Sequence, residues 1–261
     1  MKFLRPLGST GLTVSALGLG TVKLGRNEQV KYPTAFSIPD DVTVSALLEE
    51  ASTLGINLLD TAPAYGTSEE RLGQLLTRRH EWVLCTKVGE EFANGSSHFD
   101  FSGSHTRFSI ERSLKRLRTD YLDLVLIHSD GNDLDILHHS DCVQTLRLLQ
   151  EQGLVRAIGM STKTIAGGLA AAELLDVVML TWNLQQRDEA VLAAATRLGK
   201  GVLVKKGLMS GHVQGSSGDL VRDSMQLAFS QPGVGSMIVG TINPAHLRSN
   251  VAMAKEVLAG L

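Results

Sequence analysis

Eight short, almost continuously apolar runs recur along the chain, with helical periodicity between them. They read VSALGLGT, INLLDTA, WVLCTKVG, LDLVLIHS, VRAIGMST, VVMLTWN, GVLVKKG and SMIVGT. A strand with one wet face alternates polar and apolar residues, whereas a strand covered on both faces does not, so these runs predict a buried parallel sheet. Between them, Val44, Leu47, Leu48, Ala51 and Leu54 mark one helical face, as do Val191, Ala194, Ala195 and Leu198. Gly55, Gly153 and Gly199 each follow such a face and precede a strand, where a left-handed stop is needed. Thr67 with Glu70 predicts a capping box, and Asn243 before Pro244 predicts the start of the last helix. Strand–helix alternation implies right-handed crossovers, and eight units favour closure into a (β/α)8 TIM barrel over an open doubly wound sheet.

No Pro/Ser-rich linker divides the 261 residues, so residues 1–261 are expected to form a single barrel domain. The opening KFLRPLGSTGLTV carries its own turn signals and predicts an N-terminal β-hairpin closing the bottom of the barrel. Residues 22–41 and 89–105 read as irregular stretches. Both follow strands, which places them at the top, where barrels keep function. A net charge of -2 gives no reason to expect nucleic acid or a membrane as partner. Cys85 and Cys142 lack C-x-x-C spacing, and adjacent His138 and His139 point apart, so no metal site is expected. Two unpaired thiols and no secretion signal point to the reducing cytoplasm.

Asp60, Lys87 and His128 each end an apolar run, and Tyr65 follows Asp60 by five residues. Singly, each has a plain structural explanation: a helix cap, a snorkelling lysine, a core histidine, a packed ring. Lys87 shares strand parity with Cys85 and Val83, and His128 with Leu126 and Leu124, so these polar residues top the inward-facing column of their strands. A carboxylate, a phenol, an ammonium and an imidazole meeting at one barrel mouth can together donate a proton to a carbonyl oxygen.

The segments LLDTAPAYGTSEERLGQLL and SLKRLRTDYLDLVLIH resemble the two signatures of the aldo-keto reductase family, and the likeness runs from LGLGT to the final helix. It implies a catalytic tetrad of Asp60, Tyr65, Lys87 and His128, with NADP(H) as cofactor, NAD(H) not excluded, and a small-molecule carbonyl as substrate. Tyr65 would be the general acid. An ammonium ~4 Å away at an effective dielectric of ~20 contributes roughly 4 kcal/mol, about three pKa units, so Lys87 is expected to make the phenol more acidic.

The same likeness implies cofactor contacts from Gly20, Thr21, Asp60, Ser161, Gly240, Thr241 and Asn250. Thr162, Met179 and Lys205 replace the asparagine, glutamine and aromatic that the family commonly carries around the nicotinamide. Gly240 and His246 stand where many relatives have cations for a 2′-phosphate, which leaves Arg248 as the alternative. Adjacent Lys205 and Lys206 at the barrel top are further candidates to neutralise a pyrophosphate or an anionic substrate. Two other readings remain: a lyase with Lys87 as Schiff-base nucleophile, and a non-catalytic cofactor-binding sensor.

Overall fold

The computed structural model describes residues 2–209 and 218–261. An antiparallel hairpin of β1 (Leu4–Pro6) and β2 (Thr13–Ser15) precedes the first barrel strands, β3 (Leu17–Gly20), β4 (Leu58–Asp60) and β5 (Val83–Val88). A second antiparallel hairpin follows, β6 (Glu90–Ala93) with β7 (Ser96–Phe99). The barrel continues through β8 (Leu122–His128), β9 (Val155–Ser161), β10 (Val177–Thr181), β11 (Gly201–Lys205) and β12 (Val234–Val239). These eight strands pair in parallel and in chain order, and β12 closes onto β3. The ten helices among the described residues are α1 (Val22–Gly25), α2 (Asp41–Thr53), α3 (Ser68–Leu75), α4 (Gly103–Leu117), α5 (Asp133–His139), α6 (Cys142–Glu151), α7 (Ile165–Leu174), α8 (Glu189–Arg197), α9 (Gly218–Phe229) and α10 (Pro244–Ala259).

The unbroken hydrophobicity of the strands follows from two cores. Val83, Cys85, Leu124, Leu126, Ala157 and Leu203 fill the barrel interior, while Leu84, Val125, Ile127, Ile158 and Val204 pack outward against the helices. Leu7, Leu12 and Val14 join the interior cluster, so the first hairpin stoppers the N-terminal end of the barrel. Gly8 (φ +54°) lies so close to β11 that a Cβ would sit 2.2 Å from the Gly201 nitrogen. The run VSALGLGT therefore serves two sheets. Ala16 is the joint: its N–H donates to Phe3 and its carbonyl accepts from Met237. Helix-ending Gly55, Gly153 and Gly199 all take positive φ.

Two expectations are corrected. Thr67 precedes α3 without a side-chain cap, because the neighbouring Ser68 hydroxyl donates to Thr21 Oγ1 (2.8 Å) and Glu70 pairs with Arg116 (3.0 Å). Residues 89–105 are not irregular: Asn94 (φ +53°) and Gly95 (φ +75°) turn β6 into β7. Residues 22–41 likewise begin with α1 before the chain becomes irregular. No helix among the described residues is long and apolar enough to cross a membrane.

Candidate active site

The C-terminal ends of the barrel strands surround a cavity of about 610 Å³. Asp60, Tyr65, Lys87 and His128 all line it, as do Gly20, Thr21, Ser161, Lys205, Lys206, Gly240 and Asn250. Thr241 does not. Its hydroxyl accepts from the Asn243 N–H (3.1 Å) at the head of α10 instead. Asp60, Lys87 and His128 arrive on β4, β5 and β8. Tyr65 arrives on a single 3-10 turn, Pro63–Tyr65, seated against α1 by a close backbone approach. A Cβ on Gly25 would fall 2.3 Å from the Tyr65 carbonyl oxygen, so only glycine lets the phenol-bearing turn sit this low.

Lys87 is 2% exposed and Asp60 is 4% exposed, so neither charge is tolerable alone. The Lys87 ammonium donates to Asp60 Oδ1 (2.7 Å) and to the Thr61 carbonyl (2.8 Å). Burial pushes the Lys87 pKa down, but Asp60 and then Tyr65 more than offset it, and the amine is held above its ordinary value. Its nitrogen lies 4.7 Å from the centroid of the Tyr65 ring.

The expected acidification of Tyr65 is corrected. Lys87 does draw the phenol pKa down, yet burial outweighs it and the net position is raised, to about 12. Removing water from a phenolate costs more here than one partly neutralised ammonium returns. Tyr65 is a phenol locked in its protonated form.

His128 meets Tyr65 edge-on, with ring centroids 6.2 Å apart. Its Nδ1 lies 2.7 Å from Glu90 Oε2, an approach poorly aligned for a hydrogen bond. The Ser97 hydroxyl donates to the other Glu90 oxygen (2.6 Å). Burial raises the Glu90 pKa, but His128, Ser97 and Arg26 outweigh it and bring it to about 2. Burial lowers the His128 pKa, Glu90 opposes, and Lys87 and Lys205 add to the lowering. Glu90 is a site residue that reading the sequence missed. The Asn94–Gly95 pair is a strong hairpin signal and could have found the β6–β7 ribbon, though not its fold-over onto His128.

Lys205 and Lys206 part company. Lys206 is exposed, at φ +56°. Lys205 turns inward and donates to the Ser161 hydroxyl (2.9 Å) and the Thr162 carbonyl. Burial and then Lys206 lower its pKa to about 7, against a partial opposing pull from Asp133 and Asp188. Between that value and the ordinary lysine value of about 10.4, the unfolded chain holds a proton that the folded one lacks, so Lys205 makes stability rise with pH. Lys205→Met is expected to raise Tm by a few degrees at pH ~6 and by less at pH ~9 in calorimetry. An equal shift at both would contradict a buried charge.

Among the aromatics near the barrel mouth, Tyr32 lines the cavity and meets Phe36 edge-on at 5.7 Å. Trp182 packs instead, its indole N–H donating to the Leu227 carbonyl (3.2 Å). Among the described residues, no cluster of His, Cys, Asp or Glu is placed to hold a metal.

Two glycines and a buried amide shape the rest of the cavity. A Cβ on Gly240 would lie 2.7 Å from the Tyr32 hydroxyl, and one on Gly20 would lie 3.1 Å from Ile238, so both glycines keep a channel open. Asn250, 7% exposed, faces the same space with its Nδ2 donor unpaired. A buried amide left without a partner costs about 1–3 kcal/mol, an unfavourable arrangement unless a ligand supplies the acceptor. Arg248 on α10 is paired with Glu50 (2.9 Å) at the surface.

Comparison with known proteins agrees with this geometry. The aldo/keto reductase family model matches residues 16–225. The uncharacterized oxidoreductase YqkF of Bacillus subtilis is 28% identical, with 96% of this chain and 90% of that protein aligned. L-galactose dehydrogenase of Arabidopsis thaliana is 29% identical, over 97% of this chain and 88% of the enzyme. The crystal structure of PA4992, an aldo-keto reductase candidate of Pseudomonas aeruginosa, superposes with a TM-score of 0.89 at 55% identity, covering 98% of this chain and 95% of that one.

Proposed function

This chain belongs to the aldo/keto reductase family of oxidoreductases, and on that premise we propose that it reduces an aldehyde or ketone to the alcohol with a nicotinamide cofactor. The observation that carries the reading is the buried Asp60–Lys87 pair set against the Tyr65 phenol at a barrel mouth. The cofactor, when bound, supplies the hydride.

Tyr65 gives the carbonyl oxygen its proton. With a pKa of about 12 it is fully protonated at neutral pH, yet far more acidic than the conjugate acid of an alkoxide, comparable to water at about 15.7. Lys87 lowers the cost of the charge that the phenol develops, Asp60 keeps Lys87 charged and aimed, and His128 closes the pocket around the substrate oxygen. Lys87 as a Schiff-base nucleophile is disfavoured, because its amine is held protonated by a carboxylate at 2.7 Å.

Gly20, Thr21, Asp60, Ser161, Lys205, Lys206, Gly240, Thr241 and Asn250 make up the proposed cofactor surface. Thr241 acts in it through the start of α10 rather than by direct contact. NADP(H) is the proposed form, with the exposed Arg248 leaving its half-buried partner Glu50 for a 2′-phosphate. In this reading the whole chain is one barrel domain of the cytoplasm, with no nucleic acid or membrane as partner.

Titrating the protein with NADPH and with NADH by fluorescence, then adding a carbonyl panel, tests the reading. Saturable binding followed by cofactor oxidation is expected, and tight binding that no carbonyl discharges would favour the sensor. Asn250→Leu is expected to weaken NADPH binding about tenfold while leaving the apoprotein as stable or up to ~1 kcal/mol more so, since an unpaired donor is removed. Unchanged affinity would take Asn250 out of the cofactor surface.

A further inference from the structure

Two lysines of the cavity wall have opposite surroundings. Lys87 is pinned by a carboxylate at 2.7 Å. Lys205, at the tip of β11, lines the same cavity and is half-buried, so small molecules in the cavity can reach it. Its hydrogen bonds go to uncharged acceptors, the Ser161 hydroxyl (2.9 Å) and the Thr162 carbonyl. A neutral amine carries two N–H donors and one lone pair. Two acceptors on the wall satisfy both donors and leave the lone pair unused, whereas the third N–H of an ammonium would find no protein partner among the described residues.

The charges around Lys205 give a proton little support. Lys206 beside it and Lys163 just past β9 oppose the proton, while Asp133 on α5 and Asp188 before α8 favour it without pairing. Both carboxylates are committed elsewhere. Asp133 Oδ2 accepts from the Lys163 and Thr164 N–H groups (2.9 and 2.7 Å), and Asp188 Oδ2 accepts from the Thr181 N–H (3.0 Å). His128 on β8 also feels Lys205, and its own pKa is lowered, so it brings no negative charge. With its pKa lowered to about 7, mainly by burial, roughly half of Lys205 is the free amine at neutral pH. An ordinary lysine, at about 10.4, is unprotonated in only about one molecule in 2,500.

We propose that Lys205 is the nucleophile of a covalent capture site, at which an aldehyde entering the cavity condenses with the amine to form an imine. The site takes the same class of compound as the nicotinamide-dependent reading and needs no cofactor. The amine lone pair attacks the carbonyl carbon, and one amine proton passes to the carbonyl oxygen, giving a carbinolamine. That hydroxyl then leaves with the second amine proton as water while the C=N bond forms. Nothing is oxidised or reduced, and water reverses both steps. Lys87 does not compete, because Asp60 keeps its nitrogen protonated.

Reductive trapping on the apoprotein tests this. Propanal forms the imine and cyanoborohydride delivers hydride to its carbon, which leaves a stable propyl group on the nitrogen. Peptide mass spectrometry at short times and pH ~7 should place the first propyl group on Lys205, at least about tenfold ahead of any other lysine. That lead should shrink by more than about tenfold at pH ~9, where ordinary lysines gain free amine. Comparing lysines within one sample cancels the pH dependence of the reagent. Lys205→Met should lose the fast label and Lys206→Met should keep it.

A fast label on Lys87, Lys163 or Lys206, a lead unchanged between the two pH values, or no lysine labelled ahead of the rest would overturn the proposal. The label is read by mass without cofactor. Turnover with NADPH, whether seen or not, therefore bears only on the reductase reading.

Discussion

Tyr65→Phe is expected to lower carbonyl reduction by on the order of 10²–10⁴-fold while cofactor affinity stays within about twofold. The substitution removes one oxygen and keeps the ring. Edge contact with His128 at 6.2 Å and the Lys87 ammonium 4.7 Å from the ring centroid both survive, so the cavity keeps its shape. Lost is the O–H that follows charge onto the substrate oxygen, an interaction made mainly in the transition state, so kcat should fall rather than KM rise. Steady-state rates beside an NADPH fluorescence titration check both halves. Wild-type turnover would take Tyr65 out of the chemistry, and lost binding would mean that the phenol has been assigned the wrong task.

Lys87→Met is expected to damage the protein twice. Asp60, 4% exposed, loses its ammonium and is left as a buried, unpaired carboxylate, which costs about 3–5 kcal/mol of stability. Tyr65 meanwhile loses the nearest positive charge. At 4.7 Å and an effective dielectric of ~20 that charge is worth roughly 3–4 kcal/mol to a developing phenolate, or about 10²–10³-fold in rate. A second substitution separates the effects. Lys87→Met with Asp60→Asn removes the orphan charge, so urea unfolding should recover most of the stability while activity stays low. Recovery of both together would mean that Lys87 matters only by keeping Asp60 company.

The barrel was legible because burial on both faces writes itself into a strand. Val83 to Val88 alternates between the interior and the helix layer, and every residue of the run is buried. Helix stops were legible for a similar local reason, since Gly55, Gly153 and Gly199 take backbone angles that other residues resist. So was the gathering of Asp60, Lys87 and His128, because strand tips of a closed parallel barrel converge whatever the loops do.

What escaped depended on contacts between distant segments. Thr67 and Glu70 have the right spacing for a capping box, but Ser68 and Arg116 offer competing partners that local spacing cannot reveal. Glu90 lies two residues past a strand end and belongs to the site only because its hairpin folds back over His128. The direction of the Tyr65 shift was missed for an energetic reason. A charge pair can be read from residue types, whereas the depth at which it is buried cannot, and here depth decides the sign.

The account turns on a protonated phenol handing its proton to a substrate oxygen as hydride arrives at the carbon. A single turnover with NADPH deuterated at the transferring position, run against an aldehyde and ketone panel, tests that most directly. Deuterium should appear at the carbinol carbon of the product with wild-type protein, and fall by the predicted factor with Tyr65→Phe. Cofactor bound to saturation with no deuterium delivered to any carbonyl would contradict the account.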